Sequence, residues 1–148
     1  MTNQAIIRTV SVEEVLRIHE ILVADFAASG DPIGRMGLRS VGLLESAVNR
    51  QHAGLGSVQK HPEALGNSAT LAFGICSDHP FVNGNKRTAL VALLVHLDKN
   101  LLCLRNTTQN DLYQLMLGIA DHSLGVRTDP RRRDRPMKRR SADEEVQA

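Results

Sequence analysis

The chain has 148 residues, 42% of them hydrophobic and only 3% aromatic, which predicts one domain with a mainly aliphatic core. The sequence has neither the roughly 18 consecutive apolar residues of a membrane span nor the layout of a signal peptide. Its 2 cysteines are too few for a disulfide framework. We therefore expect a cytoplasmic protein without a membrane partner. The net charge of +2 arises at the end of the chain, because residues 127–148 hold 8 basic against 5 acidic residues while residues 1–126 hold 10 against 11.

Two amphipathic helices are predicted in the first third of the chain. Ser11 and Glu14 form the Ser-x-x-Glu pattern of a capping box, and the helix that they open should fade near Ala28. Its apolar stripe consists of Val12, Val15, Leu16, Ile18, Leu22 and Val23. A second helix is expected from about residue 40 to residue 50. That helix should bury Val41, Leu44 and Val48.

Further helices are predicted downstream, separated by loops. Residues 51–62 contain glycines and histidines without sustained periodicity, which indicates a loop. Residues 63–77 form a third predicted helix. The last one runs from residue 109 to about residue 120, with Thr107 or Thr108 as its cap. No internal repeat is visible.

The stretch at residues 79–90 reads HPFVNGNKRTAL and changes character in the middle. Pro80 and Gly84 mark its first half as a loop. From Asn85 the pattern is helical, and residues 89–97 are apolar on every side except at His96. A helix that is apolar all round belongs inside a domain. We therefore predict a loop that runs directly into a central buried helix.

The start of this helix is suited to binding an anion. The first backbone N–H groups of a helix lack internal partners and carry the positive end of its dipole, and phosphate is a natural ligand there. Gly84 allows a close backbone approach, and Lys86 and Arg87 add charge. His79 lies just upstream of this helix, and histidine is the residue type best suited to act as a general base near neutral pH. The alternative is an ordinary loop and helix start with an exposed histidine.

Other histidines and cysteines give weaker signals. Cys76 and His79 have the spacing of half a zinc site, but no second compact ligand pair completes it. Cys76 and Cys103 lie on apolar segments, so we interpret them as buried packing residues. We interpret His96 as a core histidine with one polar partner. His19, His52, His61 and His122 belong to no constellation.

The stretch at residues 79–87 resembles the signature of the Fic/Doc family, HPFx(D/E)GN(G/K)R, and only Asn83 departs from it. The KRTA continuation and the upstream phrase GLRSVGLLESA at residues 37–47 are similar to the Doc (death-on-curing) branch. The resemblance covers roughly residues 5–122. It implies an all-α fold, a Fic/Doc-like helical domain at residues 1–126 whose central buried helix follows the HPFxxGNKR loop.

The resemblance also implies a site for ATP and Mg²⁺. His79 would be the catalytic base that accepts the proton of a protein hydroxyl, and Asn83 occupies the position of the acidic metal ligand. An asparagine there should bind Mg²⁺ less well than a carboxylate. The nucleotide phosphates would be bound by Gly84, Asn85, Lys86 and Arg87. Residues 51–62 would form the flap that aligns the target polypeptide.

Two positions distinguish the branches of the family. The AMP-transferring branch has glycine at the position of Lys86 and a second arginine at that of Leu90, whereas the Doc branch has the lysine and presents the γ-phosphate. The resemblance thus implies a toxin of a toxin–antitoxin pair. It would phosphorylate a serine or threonine of a protein in the translation machinery and arrest growth. The alternatives are a catalytically silent binding module, because of Asn83, or AMP transfer.

Two expectations about partners remain. The sequence contains no Ser/Thr-x-x-x-Glu-(Gly/Asn) inhibitory pattern, so a separate antitoxin should restrain the toxin. Residues 127–148 are predicted to be a disordered basic tail, because they are rich in charge and have almost nothing to bury. Within that tail, residues 127–140 could contact nucleic acid weakly and without specificity.

Overall fold

The computed structural model describes residues 6–34, 37–103, 108, 110–112 and 114, and these form an assembly of helices with one small hairpin. The elements in chain order are α1 (Val12–Phe26), α2 (Val41–Asn49), a 3-10 turn (Arg50–His52), β1 (Gly54–Leu55), β2 (Val58–Gln59), α3 (Ala64–Asp78) and α4 (Asn85–Lys99). The all-α prediction is confirmed, and the antiparallel pair of β1 and β2 forms a hairpin within the predicted loop at residues 51–62. In the described ranges no helix is long and apolar enough to cross a membrane.

The capping box predicted for α1 is present. The Ser11 hydroxyl accepts the Glu14 N–H at 3.1 Å, and the Glu14 carboxylate accepts the Ser11 N–H at 3.2 Å. The same carboxylate binds the Lys99 ammonium at 2.6 and 2.8 Å, and this hydrogen bond is the main reason why the pKa of Glu14 is lowered. The start of α1 is thereby joined to the end of α4.

Helix α2 begins behind a serine cap and packs closely against α3. The Ser40 hydroxyl accepts the Leu43 N–H at 3.2 Å. A Cβ added at Gly74 of α3 would lie 3.0 Å from the Ala47 Cα, so glycine permits the close approach of the two helices. The predicted burial of Val41 is wrong, since 54% of it is exposed. Val41 is the first residue of α2, and the buried stripe begins one turn later, at Leu44.

Helix α4 packs mainly against α3 and also against α1, which confirms a helix in the interior of the domain. Its buried residues are Asn85, Thr88, Ala89, Ala92, Leu93, His96 and Leu97. Burial is not all-round, because four of its apolar side chains are only partly covered. These are Leu90, Val91, Leu94 and Val95. The internal face of α4 thus fixes the position of its N-terminus, where the predicted site lies.

A buried polar pair between α3 and α4 explains the histidine in the core. The Asn67 amide donates to the backbone oxygens of Gln51 and His61, and its own oxygen lies 2.8 Å from His96 Nε2. Asn100 Nδ2 lies 3.3 Å from the other ring nitrogen of His96. Burial lowers the pKa of His96, and a neutral ring with Nε2–H suits both partners. His96 is therefore a core histidine, as predicted, with two polar partners.

Of the two cysteines predicted to be buried, one is buried and the other is exposed. Cys76 is buried, and burial raises the pKa of its thiol to about 11, as expected of a packing residue. Cys103 is exposed, so its predicted burial is wrong. It follows Leu101 and Leu102, which are 95% and 45% exposed beyond the end of α4. The apolar residues that precede Cys103 in the sequence are themselves exposed, so they did not indicate that Cys103 is buried.

The C-terminal predictions lie mostly outside the described residues. Thr108 does cap a helical segment, because its hydroxyl accepts the Asp111 N–H at 3.1 Å and its N–H donates to the Asp111 carboxylate at 3.0 Å. Residues 110–112 and 114 are helical. Thr107, most of the predicted helix at 109–120 and the tail at 127–148 lie outside the described residues.

Candidate active site

The candidate site is formed by residues 79–84, which connect the end of α3 to the start of α4. We call these residues the motif loop. His79 is exposed and has left-handed backbone angles, with φ 50° and ψ 58°. A residue with a side chain adopts this conformation at a cost of about 1–2 kcal/mol. The surrounding structure must therefore hold His79 in place.

The inner side of the motif loop is anchored in the core. Phe81 is 1% exposed, and its ring stacks on the His19 imidazole with centroids 3.9 Å apart. His19 Nδ1 in turn lies 3.1 Å from the Thr88 hydroxyl of α4. Burial lowers the pKa of His19, which favours the neutral ring. Sequence reasoning missed this residue, although His19 follows Ile18 in the apolar stripe of α1.

The Asn85 side chain closes the motif loop. Its amide oxygen accepts the Phe81 N–H and its amide nitrogen donates to the Phe81 carbonyl, each at 2.9 Å. Asn85 is 8% exposed. Because both polar atoms of its side chain are bound to the loop, Asn85 can offer a phosphate its backbone N–H rather than its side chain.

Gly84 is the N-cap of α4 and has a left-handed backbone, with φ 76°. The backbone angle favours glycine here, and a Cβ at this position would also lie 2.8 Å from Ile33 Cδ1, so the Ile33 side chain would have to shift. Among the residues that the structure describes, no side chain caps α4. The first N–H groups of the helix therefore remain suited to an anionic ligand.

The two basic residues of the motif have different surroundings. Lys86 is exposed and has no ion-pair partner among the described residues. Arg87 is engaged, because its guanidinium forms an ion pair with the Asp31 carboxylate and donates to the Asp31 carbonyl at 2.8 Å. The same guanidinium lies 4.5 Å above the centre of the Phe26 ring. A phosphate bound by Arg87 would therefore compete with the Asp31 carboxylate for the same guanidinium.

The donor atoms present do not fit a resident magnesium ion. Mg²⁺ prefers one or two carboxylates together with phosphate oxygens. Asn83 is exposed and offers one neutral amide oxygen, which accepts the Gly84 N–H at 2.7 Å. Across the described part of the chain, no group of three or more His, Cys, Asp or Glu side chains could hold a metal ion.

The segment that precedes α2 pairs with the motif loop. Leu38 and Phe81 form an antiparallel bridge, and the Val82 N–H donates to the Gly37 carbonyl at 3.0 Å. This segment belongs to the phrase at residues 37–47 that resembles the Doc branch. Its contact with the motif loop was not predicted, because no local pattern indicates pairing across more than 40 residues.

Gly84→Ala is expected to lower the free energy of unfolding by about 1–3 kcal/mol, because it combines a strained backbone with contact to Ile33. The change can be measured by urea denaturation. Gly66→Ala is the matched control. A Cβ at Gly66, inside α3, would meet nothing within 4 Å, so this variant should be more stable by up to about 1 kcal/mol. Equal stability of the two variants would contradict the description of Gly84.

Comparison with known proteins identifies the family of the chain. The model described as the Fic/DOC family matches residues 9–97. A protein named Toxin Doc from Mycolicibacterium smegmatis (strain ATCC 700084 / mc(2)155) is 34% identical over 87 residues, which are 59% of this chain and 65% of that relative. The match thus spans slightly less than two thirds of the relative. Since the family match includes the whole motif loop and nearly all of α4, the chain belongs to the Fic/Doc family.

Proposed function

We propose that this chain is a Doc-like toxin that transfers the γ-phosphoryl group of ATP to a serine or threonine hydroxyl of a protein in the translation machinery, which arrests growth. The observation that carries the proposal is that an exposed histidine and a cationic helix start lie at the two ends of one short loop, and that no described side chain caps this helix. A base and an anion site are the two parts that phosphoryl transfer to a hydroxyl requires. The name of the Mycolicibacterium relative supports the toxin assignment.

In the proposed step, a ring nitrogen of His79 accepts the proton of the target hydroxyl. The hydroxyl oxygen forms a bond to the γ-phosphorus, the bond from that phosphorus to the β,γ-bridging oxygen breaks, and ADP leaves with the electron pair. Lys86, Arg87 and the first amides of α4 stabilise the negative charge of the transferred group. The protein therefore acts by deprotonation, positioning and charge stabilisation.

Two residues favour transfer of the γ-phosphoryl group over transfer of AMP. Lys86 adds an exposed cation where the AMP-transferring branch has glycine. Leu90 takes the place of that branch's second arginine, and it packs against the core. The chain therefore lacks one arginine clamp on the nucleotide and has gained a cation close to the helix start.

We propose that the divalent cation enters the site bound to the nucleotide. Since Asn83 and the described residues do not fit a resident ion, we treat MgATP as the substrate. In that complex the phosphates supply the charged ligands of Mg²⁺, and Asn83 is the residue of the motif loop that we propose to face the metal. On the protein, His79 is the proton acceptor, and Lys86 and Arg87 supply the positive charges.

Partners follow from the same proposal. A separate antitoxin would restrain the toxin, and its disordered segment would fold on the domain when it binds. The hairpin of β1 and β2 would contact the target polypeptide. Two side chains of this hairpin, Leu55 and Val58, are 87% and 70% exposed and available for such a contact. The tail at residues 127–140 is proposed to contact nucleic acid weakly.

A catalytically silent binding module is the second candidate function. It is favoured by the neutral Asn83 at the metal position and by the engagement of Arg87 with Asp31. Such a module would bind ATP or the antitoxin without transfer.

Mass spectrometry of a cell lysate incubated with the purified chain and MgATP tests the proposal. We expect new phosphoserine or phosphothreonine on a protein of the translation machinery. AMP on a target hydroxyl would favour the AMP-transferring alternative. ATP binding without any modified protein would favour the silent module.

Asp31→Asn is expected to tighten ATP binding by up to about fivefold, because an exposed ion pair contributes about 0.2–1 kcal/mol and 1.4 kcal/mol corresponds to a factor of ten. The change removes the negative charge that pairs with Arg87 and would repel phosphate, while the Asp31 carbonyl still accepts from Arg87. Asp98→Asn makes the same change of charge near the other end of α4 and should leave the Kd unchanged. Equal Kd values for wild type and Asp31→Asn, measured by calorimetry, would show that the ion pair between Asp31 and Arg87 does not oppose nucleotide binding.

A further inference from the structure

Arg39 lies just before α2, and its side chain reaches the end of α3. Its Nε donates to the His79 carbonyl at 2.7 Å, and its Nη2 donates to the Asp78 carbonyl at 2.8 Å. In the part of the chain that the structure describes, no carboxylate forms an ion pair with Arg39. The guanidinium therefore acts there as a donor to backbone oxygens.

The backbone of the same segment continues this pattern. The Arg39 N–H donates to the Pro80 carbonyl at 2.7 Å, and the Ser40 N–H donates to the same oxygen at 3.1 Å. Three consecutive carbonyls, those of residues 78–80, are thus bound by two consecutive residues. In this set of contacts, the Arg39 side chain is the donor to the carbonyl oxygens of Asp78 and His79. The donors to the Pro80 carbonyl are backbone N–H groups.

The hydrogen bonds of the Arg39 side chain stabilise the backbone at and just before His79. The last carbonyls of a helix lack partners within the helix and carry the negative end of its dipole, so a guanidinium there is favourable. A hydrogen bond from a charged donor is about twice as strong as a neutral one. His79 has a left-handed backbone, and such a conformation persists only where the neighbouring structure enforces it.

We propose that Arg39 is the positioning residue for the base, and that its two side-chain hydrogen bonds hold His79 in the left-handed conformation from which the imidazole faces its substrate. This inference rests on the proposed function of His79. Arg39 touches neither of the reacting groups in this role. It acts through the backbone of His79, so its loss should disturb the chemical step more than nucleotide binding.

Arg39→Gln tests this role in the full chain by kinetics and by NMR. We expect the kcat of γ-phosphoryl transfer to fall by about 10–100-fold, since a displacement of about 1 Å in a reacting group can have an effect of that size. The KM for ATP should change by less than about threefold, because the start of α4 is untouched. The Cα and Cβ chemical shifts of His79, which report its backbone angles, should move away from their wild-type values.

Two further variants separate positioning from general stability. Arg39→Lys keeps the charge but has no planar fork that could bind two carbonyls at once, so its kcat should lie between those of wild type and Arg39→Gln. Arg17→Gln removes an exposed arginine from α1 and should leave both kcat and the His79 shifts unchanged. Thermal unfolding of each variant shows that it is folded.

The NMR result needs no substrate and so distinguishes two kinds of failure. If wild type transfers no phosphate but Arg39→Gln moves the His79 shifts, the proposed function fails and the positioning of His79 by Arg39 is supported. Wild-type shifts in folded Arg39→Gln would overturn the inference, whether or not kcat falls. An unchanged kcat in an active enzyme would also overturn it.

Discussion

His79→Ala is expected to lower phosphoryl transfer by about 10²–10⁴-fold, the usual contribution of a general base, and to abolish growth inhibition. His79 is exposed at the end of α3, so truncation of its side chain removes no core packing. The fold and the binding of the antitoxin should therefore survive. Transfer rates, growth curves after induction and circular dichroism measure the three parts of this expectation.

Arg17→Ala is the matched control, because Arg17 is exposed on α1 and lies outside both the motif loop and the flap at residues 51–62. It should transfer phosphate and arrest growth like wild type. If the His79→Ala protein still arrests growth fully, His79 is not the base. If it no longer folds, the description of His79 as an exposed loop residue is wrong.

Asn83→Asp is expected to tighten Mg²⁺ and to raise the rate of γ-phosphoryl transfer. The change replaces a neutral amide with a carboxylate, the ligand that Mg²⁺ prefers. The increase should be largest at low Mg²⁺, because excess metal compensates for a weak site by mass action. Transfer rates measured across a Mg²⁺ titration for wild type and variant test this expectation. A rate that is the same in both proteins at every Mg²⁺ concentration would exclude Asn83 from the metal position.

Lys86→Gly is expected to lower γ-phosphoryl transfer and to admit some transfer of AMP. The variant removes a cation from the phosphate site and restores the glycine of the AMP-transferring branch. Asn83→Asp and Lys86→Gly together distinguish the two candidate functions. If Asn83→Asp transfers neither phosphoryl nor AMP at millimolar Mg²⁺, the chain is better described as a silent binding module.

The parts of the fold that the sequence predicts well are those set by neighbouring residues. The capping box of Ser11 and Glu14 uses residues three apart, and the loop that ends at Gly84 is marked by its own proline and glycine. The helical period also placed α3 and α4 to within a residue or two. The positions of His79, Lys86 and Arg87 at the ends of one loop follow directly from these elements.

The contacts that support the site are set by tertiary packing, and local patterns did not reveal them. Arg39 binds the carbonyl of His79 across 40 residues, Arg87 pairs with Asp31 across 56, and His19 reaches Thr88 across 69. Each joins two elements whose relative positions depend on the whole core. The burial predicted for Val41 and Cys103 was wrong for a similar reason. Val41 is the first residue of α2 and Cys103 follows the end of α4, and the tertiary packing does not cover either position.

The most direct test of the central claim is to incubate the wild-type protein and His79→Ala with cell lysate and ATP labelled separately at the α- and the γ-phosphorus, at millimolar Mg²⁺. We predict that wild type places the γ label, and not the α label, on a serine or threonine of a protein, and that His79→Ala places neither. Transfer of the α label by wild type, or equal transfer of the γ label by both proteins, would contradict the assignment of a phosphotransferase with His79 as its base.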